Sequence, residues 1–548
     1  MTATYTYPKY AYRRPPELDG PSARRGVVVV GAGPVGLAAA IDLAQRGVPV
    51  LVLDDDDTVS VGSRAICYSK RTLEILDRLG CGEPVAGKGV GWKVGKVYQG
   101  SELAYQFDLL PESGHRRPAF VNLQQYYFEE ALVNRARALP ALEIRWRHKV
   151  THVAPAADGA TLRVATDDGE YALACDWLVV CDGARSPIRR LLGLDFEGQV
   201  FRDRFLIVDI RMAADHPAER RFWFDPPFHP NQSVLLHRQP DDVWRVDFQL
   251  GWDADPEAEK QPERILPRLT AMLGSDARFE IEWASVYTFQ CRRMQRFRHG
   301  RLVFAGDAAH LVSPFGARGA NSGIQDADNL GWKLSLVVAG RAPEALLDTY
   351  DAERVAAADE NLRNSTRSTD FITPKSAVSR TFRDAVLALA RRHPFARRLV
   401  NSGRLSVPAV LADSPLNTPD AASFAGAMVP GTVAADAPVT GACGPWLLDY
   451  LGGGFVLLVF GEGVDAAAAR ALCAAPVPCR VVQVGGAGGA DREVIGDAEG
   501  LVAARYDGRP GTCYLVRPDQ HVCARWRAFD AAAVRAALAR ATCRPPET

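Results

Sequence analysis

Residues 26–54 read GVVVVGAGPVGLAAAIDLAQRGVPVLVLD. The apolar run Gly26–Val30, a glycine-rich turn, the apolar-periodic stretch Leu37–Arg46 with its Gly47 stop, and the second apolar run Val48–Leu53 predict a βαβ unit and hence a parallel sheet. Gly31-Ala32-Gly33-Pro34-Val35-Gly36 is GxGxxG in the strand-to-helix context that a dinucleotide fingerprint requires. Gly31 permits the tight turn, Gly33 lets the backbone approach a pyrophosphate, and Gly36 lets helix and strand pack closely. The phosphates would sit on the helix N-terminus that Pro34 opens, where unpaired N–H groups and the dipole favour an anion. Asp54 ends the second strand, placed to accept from ribose hydroxyls, and an acid there favours NAD or FAD over a 2′-phosphate. The motif alone does not choose between the two. Gly485-Gly486-Ala487-Gly488-Gly489 also follows an apolar run but lacks the GxGxxG spacing, and reads as a loop.

The surrounding chain has 548 residues, enough for roughly two to four domains. Hydrophobic residues make up 47%, charged residues 24%, and 65 Lys+Arg balance 65 Asp+Glu, the profile of an ordinary globular protein. Without a basic excess, nucleic-acid binding lacks its electrostatic footprint. The 11 cysteines show no CxxC and no metal-ligand spacing, so they read as buried thiols of a reducing cytoplasm, with no metal site. No apolar run reaches the ~18 residues of a membrane span, and the N-terminus lacks the apolar segment of an export signal.

The expected fold class is α/β, with a discontinuous nucleotide domain over residues 26–190 and 290–405. Residues 1–25 read as an arm laid over the surface or a flexible tail. Short alternating segments at 205–211, 221–224, 233–237, 243–250 and 280–289 predict a mostly antiparallel sheet domain, inserted over 191–289. Composition shifts to Pro, Ser, Thr, Asp and Gly at 406–432, a linker, and a third domain follows over 433–548.

Two further motifs close apolar strands: Cys181-Asp182-Gly183-Ala184-Arg185-Ser186-Pro187 and Gly306-Asp307-Ala308-Ala309-His310. Both resemble signatures of the single-component FAD-dependent aromatic hydroxylases, flavoprotein monooxygenases that include phenol hydroxylases, 3-(3-hydroxyphenyl)propionate hydroxylases and polyketide hydroxylases. The run GDAAHLVSPFGARGANSGIQDADNLGWKL from Gly306 to Leu334 is similar to that family almost continuously. The resemblance implies a Rossmann-like FAD-binding domain with Asp182 and Gly183 near the pyrophosphate, Asp307 on the ribityl chain, and Gly319, Ala320 and Asn321 among the cofactor-binding residues; Gly316, Gly319 and Gly323 allow a tight loop of backbone N–H groups ahead of a helix over Ser322–Leu336, which suits the electron-rich pyrimidine edge of a reduced flavin. It implies Arg64, in Ser63-Arg64-Ala65, on the FAD phosphates, with a surface salt bridge as the plainer alternative. It also implies Gln125, chosen over Gln124 by its spacing to Glu129 and Leu132, near the ribityl region or ring. Arg318 stands where relatives carry Gln or Lys near the flavin, and Pro314 resembles a proline whose carbonyl faces substrate and flavin. Less specifically, the C-terminal part resembles a thioredoxin-like domain; without CxxC it packs or assembles, and the family suggests a homodimer.

By this resemblance the chain is an enzyme: NAD(P)H, docking transiently, reduces FAD, and a flavin C4a-hydroperoxide, kept from water, hydroxylates a phenolic substrate with O₂. Relatives activate the phenol with an Asp and a Tyr. Ile66 stands at the Asp position, while the Tyr is kept as Tyr287, so a more acidic substrate or another base is implied, with His237, Tyr68 and Arg292 as candidates. For Tyr287, and for Phe222, Phe224, Trp244 and Phe248, core packing in a strand is the alternative to a substrate-facing role. His310 reads as a hydrogen-bonded structural imidazole or a site residue. A polyketide-tailoring oxygenase, of hydroxylase or Baeyer–Villiger type, and a structural-FAD sensor are the other functional readings, with a plain NAD-dependent dehydrogenase behind them.

Overall fold

The four valines Val27–Val30 offer no polar face to water, and the strand Ala23–Val30 accordingly lies between two others, Val50–Asp54 and Gly169–Val180, with all four valines buried. The computed structural model describes residues 4–400, 405–486 and 492–545, which form a mixed α/β structure with four sheets. In the first sheet, Leu302–Phe304, Gly169–Val180, Ala23–Val30, Val50–Asp54 and Leu142–Trp146 run parallel in that spatial order, so their carboxyl ends open on one edge. The chain passes from the central strand to Val50–Asp54 on one side and returns to Gly169–Val180 on the other. A crevice at such a reversal is where open α/β sheets bind ligands. The arm is laid on the surface: Tyr5 stacks on Tyr126 and Tyr10 on Trp146, at 4.2 and 4.4 Å between ring centroids. The first strand already begins at Ala23.

A second, eight-stranded sheet runs His310–Leu311, Glu280–Met294, Phe196–Arg211, Val243–Leu250, Ser233–Arg238, Arg220–Phe224, Val94–Gln99, Glu102–Asp108. Every pairing in it is antiparallel except Arg220–Phe224 with Val94–Gln99. This sheet extends beyond 191–289, taking two strands from 94–108, where the polar, glycine-broken sequence gives too weak an alternation to announce them. A small antiparallel sheet of Cys67–Ser69, Phe120–Asn122 and Val90–Trp92 lies in the first third of the chain.

The C-terminal part holds a five-stranded sheet in the order Glu493–Ile495, Cys479–Val484, Phe455–Phe460, Cys513–Val516, Val522–Trp526, the first three parallel and the last two joining antiparallel. Its core is continued by Trp332 of the helix Gly319–Val338, fully buried against Phe455. Buried ion pairs run through the same contact: Arg517 reaches Glu353 at 2.6 Å, Glu353 takes Lys333 at 2.7 Å, and Arg71 meets Asp328 at 3.0 Å. The 406–432 stretch is a fixed strap here, with Leu411 and Leu416 buried and the Ser414 hydroxyl on Glu353. Ala487–Gly489 of the second glycine run lie outside the described residues. All 11 cysteines are free, but Cys443 and Cys473 are exposed, so burial is not general to them. No helix of the described residues is long and apolar enough to cross a membrane.

Candidate functional site

The glycine motif divides into glycines the protein itself requires and one it does not. A Cβ on Gly31, at φ +105°, would lie 2.4 Å from the Cys181 carbonyl oxygen, and one on Gly36 would lie 1.9 Å from the oxygen of Gly31. Around Gly33 there is nothing within 4 Å. The space in front of Gly33 is a cradle, and the helix Pro34–Gln45 begins behind it with no side-chain cap, its first N–H groups turned outward. Asp54 accepts from the amides of Ala32 and Asp56 at 2.5 and 2.8 Å, leaving acceptor capacity for hydroxyls. Burial pushes its carboxyl up to about 6 against the pull of those two amides.

Two more acids stand at neighbouring strand ends. Asp182 accepts at one oxygen from the Ile188 amide, 3.1 Å away; its other oxygen is buried with no partner among the described residues. Beside it Gly183, at φ +77°, also faces open space. Asp307 and Pro314 are the only exposed residues between Leu302 and Gly316. Asp307 thus opens onto the crevice while deeply surrounded by protein, and that surrounding pushes its carboxyl up against the pull of His310 and Arg64. Asp326 holds this corner: it accepts from the Gly306 amide at 3.0 Å, from His310 Nε2 at 2.6 Å and from Arg354 Nε at 2.7 Å. Burial works to raise the Asp326 carboxyl, but His310 and Arg354 hold it below its ordinary value. His310 is therefore a positioned, hydrogen-bonded imidazole.

The helix Gly319–Val338 starts next to Asp307 without a side-chain cap, a second set of outward N–H groups at Gly319, Ala320 and Asn321. The Asn321 side chain is fully engaged elsewhere: it accepts from the Ser69 amide and Thr72 hydroxyl and donates to the carbonyls of Cys67 and Ala317. Only its main chain is left for a ligand. Gly323 lets this helix reach the glycine loop, since a Cβ there would lie 2.5 Å from Val35. The orphaned Asp182 oxygen, the cradle at Gly33 and the uncapped helix starts fit the FAD that the resemblance implies.

Four predicted roles are corrected or narrowed. Gln125 donates to Ser60 and Glu129 and accepts from the Ala65 amide, so it braces the 60–65 loop instead of facing the crevice. Arg292 lies on the far face of its strand, because Tyr287, Phe289 and Cys291 take the near face by alternation; it donates to the Phe196 carbonyl and is no candidate base. Tyr68 is core, stacked on Phe128 at 4.1 Å with its hydroxyl on the Ala65 carbonyl. Arg318 turns toward Asn361 at 3.3 Å, and burial lowers its guanidinium to about 10. Arg64 is exposed and has no salt-bridge partner among the described residues, and its charge acts on both Asp307 and Tyr287.

The eight-stranded sheet supplies the opposite wall. Cross-strand partners share a face, so the pairs Phe222–Leu235, Leu235–Asp247, His237–Arg245, Arg245–Asp209 and Phe205–Tyr287 place Phe222, Phe224, His237, Asp247 and Tyr287 on one side. Trp244 and Phe248 face the other way, into a separate core. An open-mouthed cavity is lined by Phe222, Phe224, Phe315, Phe107, Val97 and Arg220, and runs up to Gly316. Burial and the Asp307 charge push Tyr287 up to about 12, which keeps it a hydrogen-bond donor. Burial, with Arg220 and Arg245 nearby, drives His237 well below its ordinary value, so it stays a neutral imidazole; its Nδ1 lies 4.0 Å from Cys67 Sγ. Arg220 and Asp247 went unread in the sequence. Their signal was a charge keeping step with apolar residues, as in Arg220-Arg221-Phe222-Trp223-Phe224.

Residues 24–365 match the family model described as the FAD binding domain. The chain is 36% identical over 365 residues to a 12-dehydrotetracycline 5-monooxygenase/anhydrotetracycline 6-monooxygenase of Streptomyces rimosus subsp. rimosus, across 64% of this chain and 70% of that one. It is 30% identical over 524 residues to a 3-(3-hydroxy-phenyl)propionate/3-hydroxycinnamic acid hydroxylase of Mycobacterium sp. (strain JLS), across 90% of this chain and 88% of that one. Among solved structures, the OxyS anhydrotetracycline hydroxylase from Streptomyces rimosus shares the fold with a TM-score of 0.70 at 29% identity, covering 96% of this chain and 100% of that one.

Proposed function

The chain belongs to the FAD-binding domain family and is a flavin-dependent monooxygenase, and on that premise we propose that it uses NAD(P)H and O₂ to hydroxylate a phenolic or other electron-rich aromatic compound. The observation that carries this reading is an aromatic-lined cavity that reaches Phe315 and Gly316, in the loop between Asp307 and the uncapped helix start at Gly319. When bound, FAD supplies the two-electron chemistry that links NAD(P)H, oxygen and the ring. Gly31, Gly33, Pro34 and Gly36 would hold its pyrophosphate with Asp182, Gly183 and Arg64, Asp54 its ribose, Asp307 its ribityl chain, and the main chain of Gly319, Ala320 and Asn321 its pyrimidine edge.

On the substrate side, the neutral His237 accepts a hydrogen bond from the phenol hydroxyl, which makes the ring carbon more nucleophilic. Tyr287 donates a hydrogen bond and Pro314 closes the boundary between ring and flavin, while the aromatic wall keeps water out. In this reading the parallel-sheet part is a Rossmann-like FAD unit, the eight-stranded sheet is the substrate unit, and the C-terminal unit is thioredoxin-like and serves packing or assembly in a homodimer. The unpaired cysteines suit a reducing cytoplasm.

A second reading, a polycyclic polyketide substrate, is favoured by the 36% identity to the tetracycline-modifying relative. One experiment tests both: NAD(P)H oxidation by the FAD-loaded protein across monocyclic phenols and polycyclic aromatics, with product mass recorded. A ligand that speeds oxidation and gains one oxygen is expected, and its ring count decides between the readings. If no ligand accelerates oxidation, the proposal fails.

A further inference from the structure

Of the 14 large apolar side chains that the described residues leave exposed, five fall between Val378 and Leu399, on two neighbouring helices. They are Val378, Phe382 and Leu389 on the helix Ala377–Ala390, and Phe395 and Leu399 on the helix Pro394–Val400; Val378 is 79%, Phe395 62% and Phe382 57% exposed. Val378, Phe382 and Leu389 follow one line along their helix, at spacings of four and seven residues, so they form a stripe and not scattered singles. The two helices pack on one another, and Arg397 Nε donates to the Ala390 carbonyl at 3.0 Å. Their inner side is ordinary core: Leu387, Ala390 and Ala396 are buried in one cluster with Phe222 and Phe224, and Val400 lines the aromatic cavity. The exposed side chains are therefore the outer surface of that cavity's wall.

Charge on this surface is as one-sided as its apolar content. Residues 377–400 hold six arginines and His393 against the single acid Asp384, in a chain with 65 basic and 65 acidic side chains overall. Arg383 is taken by Asp384 at 2.9 Å, and Arg391 by Glu102. Arg392 and Arg398 are exposed and have no salt-bridge partner among the described residues. A concentrated exposed apolar patch marks a binding surface, and Phe, Leu and Val beside unpaired Arg on amphipathic helices is the composition of a helix lying in a lipid interface. A second copy of the chain suits the patch poorly, because a two-fold contact sets arginine against arginine. A partner protein would need an apolar groove rimmed with acids, whereas a lipid surface offers anionic headgroups over hydrocarbon without any matching shape. We propose that the helix pair over 377–400 docks the protein peripherally on an anionic lipid surface, with its five apolar side chains at the acyl boundary and Arg392 and Arg398 on the headgroups. This is a surface contact and not a span, and it does not depend on the hydroxylase reading. Because the same helices wall the aromatic cavity, docking brings that cavity next to the bilayer.

The test is co-sedimentation of the FAD-loaded full chain with vesicles of phosphatidylcholine alone and of phosphatidylcholine with an equal share of phosphatidylglycerol. The wild type binds the anionic vesicles about tenfold or more tightly than the neutral ones at about 0.1 M salt, and loses most of that preference near 1 M. Phe382→Ser with Phe395→Ser weakens binding to the anionic vesicles roughly tenfold, and Arg392→Gln with Arg398→Gln weakens it roughly ten- to thirtyfold. Equal binding of the wild type to the two kinds of vesicle, or no binding to either, overturns the proposal whether or not the variants fold. Anionic binding that survives either pair of substitutions overturns it too, since the contact then lies elsewhere or is charge alone. Sedimentation velocity and an immobilised polyglutamate column cover the other occupants. Without vesicle binding, a wild-type dimer that Phe382→Ser with Phe395→Ser makes monomeric assigns the face to a second copy, and retention on polyglutamate assigns it to an acidic protein; either result replaces the lipid.

Discussion

Gly33 and Gly36 lie three residues apart in one motif, and the structure predicts opposite consequences for the same methyl group. On Gly36 a Cβ would stand 1.9 Å from the Gly31 oxygen and 3.2 Å from Cys181 Cβ. The first distance is roughly 1.5 Å short of ordinary contact near ~3.5 Å, and the atom met is backbone. The helix Pro34–Gln45 must then move off the sheet, an overpacking penalty of about 1–3 kcal/mol. On Gly33, at φ −74° and ψ −179°, alanine is unstrained and meets nothing within 4 Å. Gly33→Ala should therefore leave the apoprotein as stable as the wild type or about 0.4–1 kcal/mol more stable, because the unfolded chain loses freedom. The same methyl fills the space assigned to the pyrophosphate, so FAD affinity should fall about ten- to hundredfold, roughly 1.4–2.7 kcal/mol. Urea unfolding of the apoproteins and fluorescence titration with FAD measure the two quantities independently. The reasoning is refuted if Gly33→Ala retains FAD as tightly as the wild type, or if Gly36→Ala unfolds at the wild-type midpoint.

Asp54 ties stability to pH. Its carboxyl is raised in the fold to about 6, against ~3.9 unfolded. The folded state thus binds the proton more tightly, and the contribution is complete below about pH 4 and lost as pH rises through about 6. Asp54→Asn should flatten the apoprotein's stability loss across that window; an unchanged slope in urea midpoints would place the titration elsewhere. Asp326→Asn removes the charge that holds the buried Arg354 and His310, and should destabilise the apoprotein by about 3–5 kcal/mol, with an unaltered unfolding midpoint as the contrary result. Tyr287→Phe should lower kcat about tenfold by removing one donor while leaving the pH–rate profile between 6 and 9 unchanged, since the phenol titrates only near 12; a lost basic limb in that range would make Tyr287 a base after all.

The crevice was legible because its parts are local. A strand, a glycine turn and a helix occupy adjacent residues, so the switch from period 2 to period 3.6 around Gly31 discloses both the elements and the anion site between them. Asp182 and Asp307 were legible for the same reason, each sitting two or three residues past an apolar strand. Gln125 shows where local reading fails. Its spacing to Glu129 on the helix Gln125–Arg137 was right, but a side chain's partner is set by what the fold brings opposite, here Ser60 and the Ala65 amide. Arg292 fails by a single step of alternation, which turns a strand residue to the other face.

The substrate wall was harder to read because its identity lies between strands, not along them. Phe222, His237, Asp247 and Tyr287 come from four strands of the eight-stranded sheet, separated by as many as 65 residues, and only the register places them on one face. Trp244 and Phe248 belong to the same kind of strand and carry the same kind of side chain, yet they face away and serve a core. Composition alone could not separate these two sets. The discriminating information is the polar residue that shares parity with the aromatics. An arginine in step with Phe222 and Phe224 is a poor core residue and a good ligand contact, so within such a sheet a mismatched charge points to the functional face where the aromatics themselves do not.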